Sequence, residues 1–172
     1  VFHAAALKQV PSGENATWEH IKTNIIGSKN VIDAAISNKV KNLTLLSTDK
    51  SVYPINAMGM TKALMEKLAL SVDCPEKTNI NCVRYGNVTW STGSVLPIWK
   101  RMFNKDKIIL TTGPNMRRFF FSVDEAVSLV DQALKLKDKL NGKILSAEMR
   151  SAKMIEILKV WIKMLGGKYK TI

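Results

Sequence analysis

No apolar run in this 172-residue sequence reaches the roughly 18 residues that a membrane-spanning helix needs. The chain does not open with the basic, then apolar, then small-residue zones of a secretory signal. Cysteine is scarce. Cys74 and Cys82 sit in no ligand-like spacing, which excludes a disulfide framework and a cysteine-built metal cluster. Two free thiols without a leader point to a reducing cytoplasm, and no metal is expected. The net charge is +12, yet no block of five or more like charges occurs and aromatics do not alternate with basic residues. Nucleic acid is therefore not the expected partner. The basic balance suits a solvated surface or an anionic small substrate. The 46% hydrophobic content is enough for one domain with a real core, and excludes disorder, collagen repeats and solenoids.

Periodicity then gives the elements. Residues 17–38 read as a helix, with Trp18, Ile21, Ile25, Ile32 and Ile36 at helical spacing apart from one gap at Ser28 and Lys29, and with Thr17 as N-cap. Residues 40–46 read as a strand. A loop over 47–56 is broken by Pro54, and a helix over 58–72 carries Ala63, Leu64, Leu68 and Val72 on one side. Residues 80–84 predict a strand, 95–103 a helix, and 107–111 a short strand ended by Gly113-Pro114. Ser122 and Glu125 have capping-box spacing and open a helix bearing Ala126, Val127, Val130 and Leu134. A strand over 143–146 and a helix over 151–165, stopped by Gly166-Gly167, close the pattern. The opening Val1-Phe2-His3-Ala4-Ala5-Ala6 reads as a buried strand entering a small-residue loop, and residues 166–172 as the start of another strand. Both ends, and the missing initial Met, predict a fragment.

Strands alternating with helices predict βαβ units: an α/β fold with a partial, Rossmann-like, doubly wound parallel sheet. Ligands bind beyond the carboxyl ends of such strands, so the loops 4–11, 47–56 and 85–94 are the places to look. The richest is Ser47-Thr48-Asp49-Lys50, where a hydroxyl, a carboxylate and an amine leave an apolar strand together, with Lys62 on the next helix. Ordinary surface charge on a loop is the plain alternative; the position after a buried strand favours chemistry.

These residues carry a resemblance. Ser47-Thr48-Asp49-Lys50, Tyr53-Pro54-Ile55-Asn56 and Gly59-x-Thr61-Lys62 resemble the inverting UDP-N-acetylglucosamine 4,6-dehydratases of polysaccharide biosynthesis, which are extended short-chain dehydrogenases. His3 to Pro11 resembles the family's cofactor loop, and Thr23-Asn24-x-x-Gly27 with Asn30 to Ala35 its next helix. Arg84-Tyr85-Gly86-Asn87-Val88 and Gly93-Ser94-Val95-Leu96-Pro97 resemble its substrate loop, and Met116-x-Arg118-Phe119 with Asp124-Glu125-Ala126-Val127 the segment leading into a later helix.

The resemblance implies oxidation of the sugar at carbon 4 with NADP (or NAD), loss of water across carbons 5 and 6, hydride return to carbon 6, and inversion at carbon 5. It implies catalytic roles for Thr48, Asp49 (acid), Lys50 (base), Met58 and Lys62. It implies cofactor contacts from Ala4, Ala5, Ala6, Lys8, Asn24, Ser47, Lys62, Tyr85, Gly86, Asn87 and Val88, and substrate contacts from Lys8, Asn87, Ser94, Val95 and Arg118. Residues 1–90 would be the later part of the cofactor domain. Residues 91–172 would be part of a small substrate-binding region intermixed with it. A UDP-sugar substrate, a homo-oligomer, and no nucleic acid or membrane partner for the fragment complete the expectation.

Three departures bear on that expectation. Met58 stands where the family usually has tyrosine, and a thioether cannot take a hydroxyl proton; Lys62 is the nearest substitute, acting through Thr48. Thr92 replaces an arginine, and Arg117 replaces a threonine beside Arg118. No G-x-G-x-x-G turn is present to cradle a pyrophosphate, so the fragment alone should bind NADP weakly and turn over little substrate. A nucleotide-sugar 4-epimerase and a non-catalytic nucleotide-binding member are the alternatives.

Smaller features complete the pattern. His3 reads as a structural histidine, and Asn24 as a prop for the catalytic lysine through water. Ile155, Leu158, Trp161, Ile162 and Leu165 read as a core stripe, with an amphipathic membrane helix as the alternative.

Overall fold

The computed structural model describes residues 1–72, 78–111, 113 and 115–165. In chain order the elements are β1 (Phe2–His3), α1 (Val10–Asn15), α2 (Thr17–His20), a π turn (Ile21–Ile26), α3 (Gly27–Ser37), β2 (Asn42–Thr48), a 3-10 turn (Asp49–Ser51), α4 (Ala57–Leu70), β3 (Asn79–Tyr85), β4 (Asn87–Val88), α5 (Val95–Asp106), β5 (Arg117–Phe121), α6 (Val123–Lys135), α7 (Lys137–Leu140), β6 (Ile144–Ser146), β7 (Ser151–Lys153) and α8 (Met154–Met164). They fall into two units, residues 1–85 with 124–147 and residues 86–123 with 148–172.

The first unit is built on an all-parallel sheet in the order β1-β2-β3-β6. Leu43 lies opposite Ile80 and Leu45 opposite Cys82. Strand periodicity puts these four on one face, where they pack with Ile32 and Ala35 of α3 and Met65 and Ala69 of α4. Thr44 and Asn81 alternate onto the other face and are buried too, as a sheet covered on both sides requires. This is the expected α/β fold. The carboxyl ends of β1, β2 and β3 release three loops at one edge, after His3, Thr48 and Tyr85.

The second unit holds a small sheet, β4-β5-β7, with β4 parallel and β7 antiparallel to β5. Its core is aromatic. Leu96 and Trp99 of α5 meet Met154, Leu158, Trp161 and Ile162 of α8. The Trp161 ring lies 6.4 Å from Trp99, and Phe103 meets it edge-on at 6.0 Å, a favoured aromatic geometry.

Several expectations are corrected. Residues 107–111 form no strand: Lys107 takes a left-handed φ of 56° that ends α5, and Ile108 and Leu110 are left exposed. Residues 151–153 are strand, because Ser151 to Lys153 pair with Arg117 to Phe119, and long-range pairing overrides helical pattern. Thr17 does not cap its helix; its hydroxyl donates to the Gly13 carbonyl at 2.8 Å from the first helical position. Val1 and Phe2 are exposed, as are Trp18, Leu64, Val127 and Leu165, each expected in the core. The helix over 17–38 contains the π turn, and the gap in its apolar pattern is filled by Ser28, which is fully buried and bonded to His3 and to the Asn24 carbonyl. The proposed stop at Gly166-Gly167 and the strand after it lie outside the described residues. No helix among the described residues is long and apolar enough to cross a membrane.

Candidate active site

At the end of β2 the extended backbone tightens into the 3-10 turn. Thr48 caps it: Oγ1 accepts the Lys50 amide at 3.4 Å and donates to Asp49 Oδ1 at 2.9 Å. Lys50 Nζ reaches the same Oδ1 at 3.0 Å. An acid and an amine therefore touch on one turn at the edge where ligands of such sheets bind. Asn56 caps α4, its Oδ1 accepting the Gly59 amide at 2.8 Å. Gly59 is required there. A Cβ at that position would lie 2.5 Å from the Lys50 carbonyl oxygen and 3.2 Å from Pro54 Cβ. Glycine lets α4 start directly against the turn that carries Asp49 and Lys50.

Met58 and Lys62 are one helical turn apart on the buried face of α4. Met58 is 4% exposed and brings no acid–base group. Lys62 Nζ donates to the Leu46 carbonyl at 2.6 Å and lies 3.3 Å from Met65 Sδ. No hydrogen bond joins Lys62 to Thr48 among the described residues, so the expected relay through Thr48 is not formed here. Burial pulls the Lys62 amine down to about 8, while Cys82 and Glu66 pull the other way. A neutral amine donating to Leu46 keeps its lone pair.

Asn24 is fully buried on the π turn. Its Oδ1 accepts the Leu7 amide at 2.8 Å, and its Nδ2 donates to the Leu7 carbonyl at 2.8 Å and to Thr61 Oγ1 at 3.0 Å. One carboxamide thus ties the Ala4-Ala5-Ala6-Leu7-Lys8 loop to α4. Ala4, Ala5 and Lys8 are exposed on that loop and Ala6 is partly so. His3 is a structural residue, as expected: its Nε2 is 2.9 Å from Ser28 Oγ, and burial and then Lys62 lower its pKa.

The pattern did not single out Ser51 or Glu66. Arg84 grips the Glu66 carboxylate with two bonds, Nε to Oε1 at 2.8 Å and Nη2 to Oε2 at 2.6 Å. Ser51 Oγ is 2.8 Å from Oε1 and 2.7 Å from the Thr48 carbonyl. Burial pushes Glu66 up, yet the bonds from Arg84 and Ser51 outweigh it and hold the carboxyl below its usual range. Ser47 is buried near the same carboxylate, but its hydroxyl has no partner within hydrogen-bond distance among the described residues. Cys82 is buried, and burial with the Glu66 charge raises its thiol to about 12, which makes it inert. Cys74 lies outside the described residues. Tyr85 sits opposite Thr48 in the sheet, its phenol raised by burial.

Gly86, Asn87, Val88, Ser94, Val95 and Arg118 all belong to the second unit. At Gly86 a Cβ would lie 2.7 Å from Phe119 Cβ, so β5 itself demands the glycine. Asn87 and Val88 form β4, opposite Phe120 and Phe121. Ser94 precedes α5, with Val95 its first residue; the buried Ser94 Oγ has no partner among the described residues. Arg118 donates to the neighbouring Arg117 carbonyl at 3.0 Å. Arg117 braces Ser151 through two bonds of 3.1 Å. No group of three or more His, Cys, Asp or Glu among the described residues could hold a metal.

The family model of the polysaccharide biosynthesis proteins matches residues 1–171. The chain belongs to that family. A UDP-glucose 4-epimerase of Rickettsia conorii is 51% identical over 133 residues, 76% of this chain and 39% of the relative. An uncharacterized membrane protein of Methanocaldococcus jannaschii is 42% identical over 172 residues, 98% of this chain and 51% of the relative. The chain thus spans about half or less of the curated relatives it matches. Among solved structures, Pen from Bacillus thuringiensis superposes with a TM-score of 0.93 at 32% identity, over 98% of this chain and 53% of that one. UDP-glucuronic acid 4-epimerase of Bacillus cereus, bound to a fluorinated UDP-glucuronic acid and NAD, superposes with a TM-score of 0.86 at 20% identity, over 100% of this chain and 61% of that one. That neighbour shares the fold, with its Rossmann-like parallel sheet.

Proposed function

We propose that the protein containing this chain is a nucleotide-sugar 4,6-dehydratase acting on UDP-N-acetylglucosamine in surface polysaccharide biosynthesis. The observation that carries this reading is the touching pair Asp49 and Lys50 on one turn at the carboxyl edge of the sheet. Hydride transfer alone does not need that pair; elimination of water does, since it needs an acid and a base at neighbouring carbons.

A nicotinamide dinucleotide, NADP or NAD, would supply the hydride acceptor and donor. The residues present fit its nicotinamide end. The exposed alanines 4 and 5 leave room for close backbone approach, and Lys62 offers a buried amine at the same edge. The pyrophosphate cradle is not found in this chain. Lys62, neutral above about pH 8, takes the carbon-4 hydroxyl proton as the hydride leaves. The ketone so formed acidifies the carbon-5 proton. Passing one proton across the 3.0 Å contact from Lys50 Nζ to Asp49 Oδ1 readies a neutral amine and a neutral acid. Lys50 removes the carbon-5 proton, Asp49 protonates the departing carbon-6 hydroxyl, and water leaves. A hydride from the cofactor would then reduce carbon 6, and carbon 5 would take a solvent-derived proton on its opposite face. Ser94 and Arg118 are the proposed substrate contacts in the second unit, an arginine suiting a diphosphate. A cytoplasmic homo-oligomer is part of the same reading.

A 4-epimerase is the second reading, favoured by the name carried by the Rickettsia relative. The test is incubation of the complete protein with UDP-N-acetylglucosamine and NADP, then mass spectrometry of the sugar nucleotide. Loss of about 18 mass units, one water, supports dehydration, the net result of the cofactor's internal redox cycle. An unchanged mass with a carbon-4 epimer supports the second reading. No product with cofactor bound supports a non-catalytic member or another sugar.

A further inference from the structure

We infer that Ser51 is a positioning residue for the Asp49–Lys50 turn, locked to α4 and β3 through Glu66 and Arg84. The inference rests on the proposed role of that turn. The turn is three residues long, so Asp49 and Lys50 cannot keep their places if Ser51 moves. Ser51 is 5% exposed and Glu66 3% exposed, so water cannot stand in for either. The Ser51 hydroxyl has one proton and two acceptors in reach, the Thr48 carbonyl at 2.7 Å and Glu66 Oε1 at 2.8 Å. It therefore binds the strand end that opens the turn to the helix that carries Lys62. Arg84, from the neighbouring strand, fixes both oxygens of Glu66 in the bidentate geometry that gives such pairs directional precision. Three elements far apart in sequence thus meet at one carboxylate, and they hold the short turn bearing the acid and the base.

Glu66 has a second effect. It lies one helical turn beyond Lys62, and its charge supports the protonated amine. Neutralising Glu66 should therefore lower the pH at which Lys62 loses its proton, while Ser51→Ala should leave that pH alone.

The test compares the complete wild-type protein with S51A and E66Q. For S51A we expect kcat to fall about tenfold, a modest share of what a misplaced catalytic group can cost. KM for the sugar nucleotide should stay within about twofold, as befits an interaction felt in the transition state. Thermal stability should be close to wild type. Amide exchange should quicken at residues 49–51 and stay unchanged in α4. E66Q should show the same loss with its pH–rate limb displaced to lower pH. Wild-type kcat in S51A, or unchanged exchange at 49–51, overturns the inference, as does a rate loss accompanied by general destabilisation. Exchange is measured without substrate, so it judges Ser51 even if the wild-type product shows carbon-4 epimerisation and the proposed reaction falls.

Discussion

The two units bury different things. Every polar or charged residue that is buried as a whole among those described lies in the first unit, including His3, Asn24, Ser51, Lys62 and Glu66. The second unit buries Trp99, Trp161, Leu96 and Leu158 around tilted and edge-on rings, with Arg101, Arg117 and Arg150 exposed. Buried polar groups cost free energy unless they are bonded. Ser51 and Glu66 beside the Asp49–Lys50 turn and Asn24 beneath the loop after β1 are bonded, whereas the Ser47 hydroxyl has no partner among the described residues. In the first unit the buried polar bonds lie beside the proposed site. In the second, the core is simple packing, and substitutions there should change folding without touching proton transfer.

The sharpest contrast comes from the turn. Asp49→Asn and Lys50→Ala should each lower turnover of the complete protein by about 10²–10⁴-fold, the usual worth of a general acid or base, with little change in melting temperature. Next is Trp161→Ala, which should cost about 3–5 kcal/mol in urea unfolding, with the pH dependence of any remaining turnover unchanged. Gly59→Ala should cost about 1–3 kcal/mol of stability and slow turnover as well, because the new Cβ displaces the Lys50 carbonyl. If Gly59→Ala destabilises but leaves kcat intact, packing and chemistry are separable in the first unit and the contrast fails.

The last effect is a pH dependence and concerns Lys62. Its folded pKa of about 8 lies below the 10.5 of an unperturbed lysine. Between those pH values the unfolded chain holds the extra proton, so this group's contribution to stability rises with pH and is least favourable below pH 8. The difference amounts to about 3 kcal/mol at most. Lys62→Met should remove that rise from pH-dependent urea unfolding while abolishing turnover. In the wild type, turnover should climb through about pH 8 and then level, as expected for a base active when deprotonated.

How much of this was legible in the sequence depended on distance along the chain. Thr48, Asp49, Lys50 and Lys62 lie within fifteen residues on one strand–turn–helix unit, so a local pattern could expose them. Ser51, Glu66 and Arg84 come from three elements and share no local spacing; only the sheet register and the helix face bring them together. Alternation showed the parallel sheet, since β2 and β3 are apolar and helix-flanked. It missed β5 and β7, short strands formed through long-range pairing with each other and, for β5, with β4. It also misplaced the inner face of α4. Apolar periodicity favoured Leu64 and Leu68, whereas the structure buries Thr61, Lys62 and Glu66, polar residues retained where the site needs them. Asn24 stood out in the sequence as a prop for Lys62, but its bonds to the Leu7 backbone and Thr61 did not.

Proton bookkeeping at carbon 5 tests the central claim most directly. The complete protein, incubated with UDP-N-acetylglucosamine and the nicotinamide cofactor in deuterium oxide, should give a dehydrated sugar carrying deuterium at carbon 5, and Lys50→Ala should lose that incorporation. A turned-over product that keeps its original proton at carbon 5 would contradict the account, because no elimination through the Asp49–Lys50 turn could then have occurred.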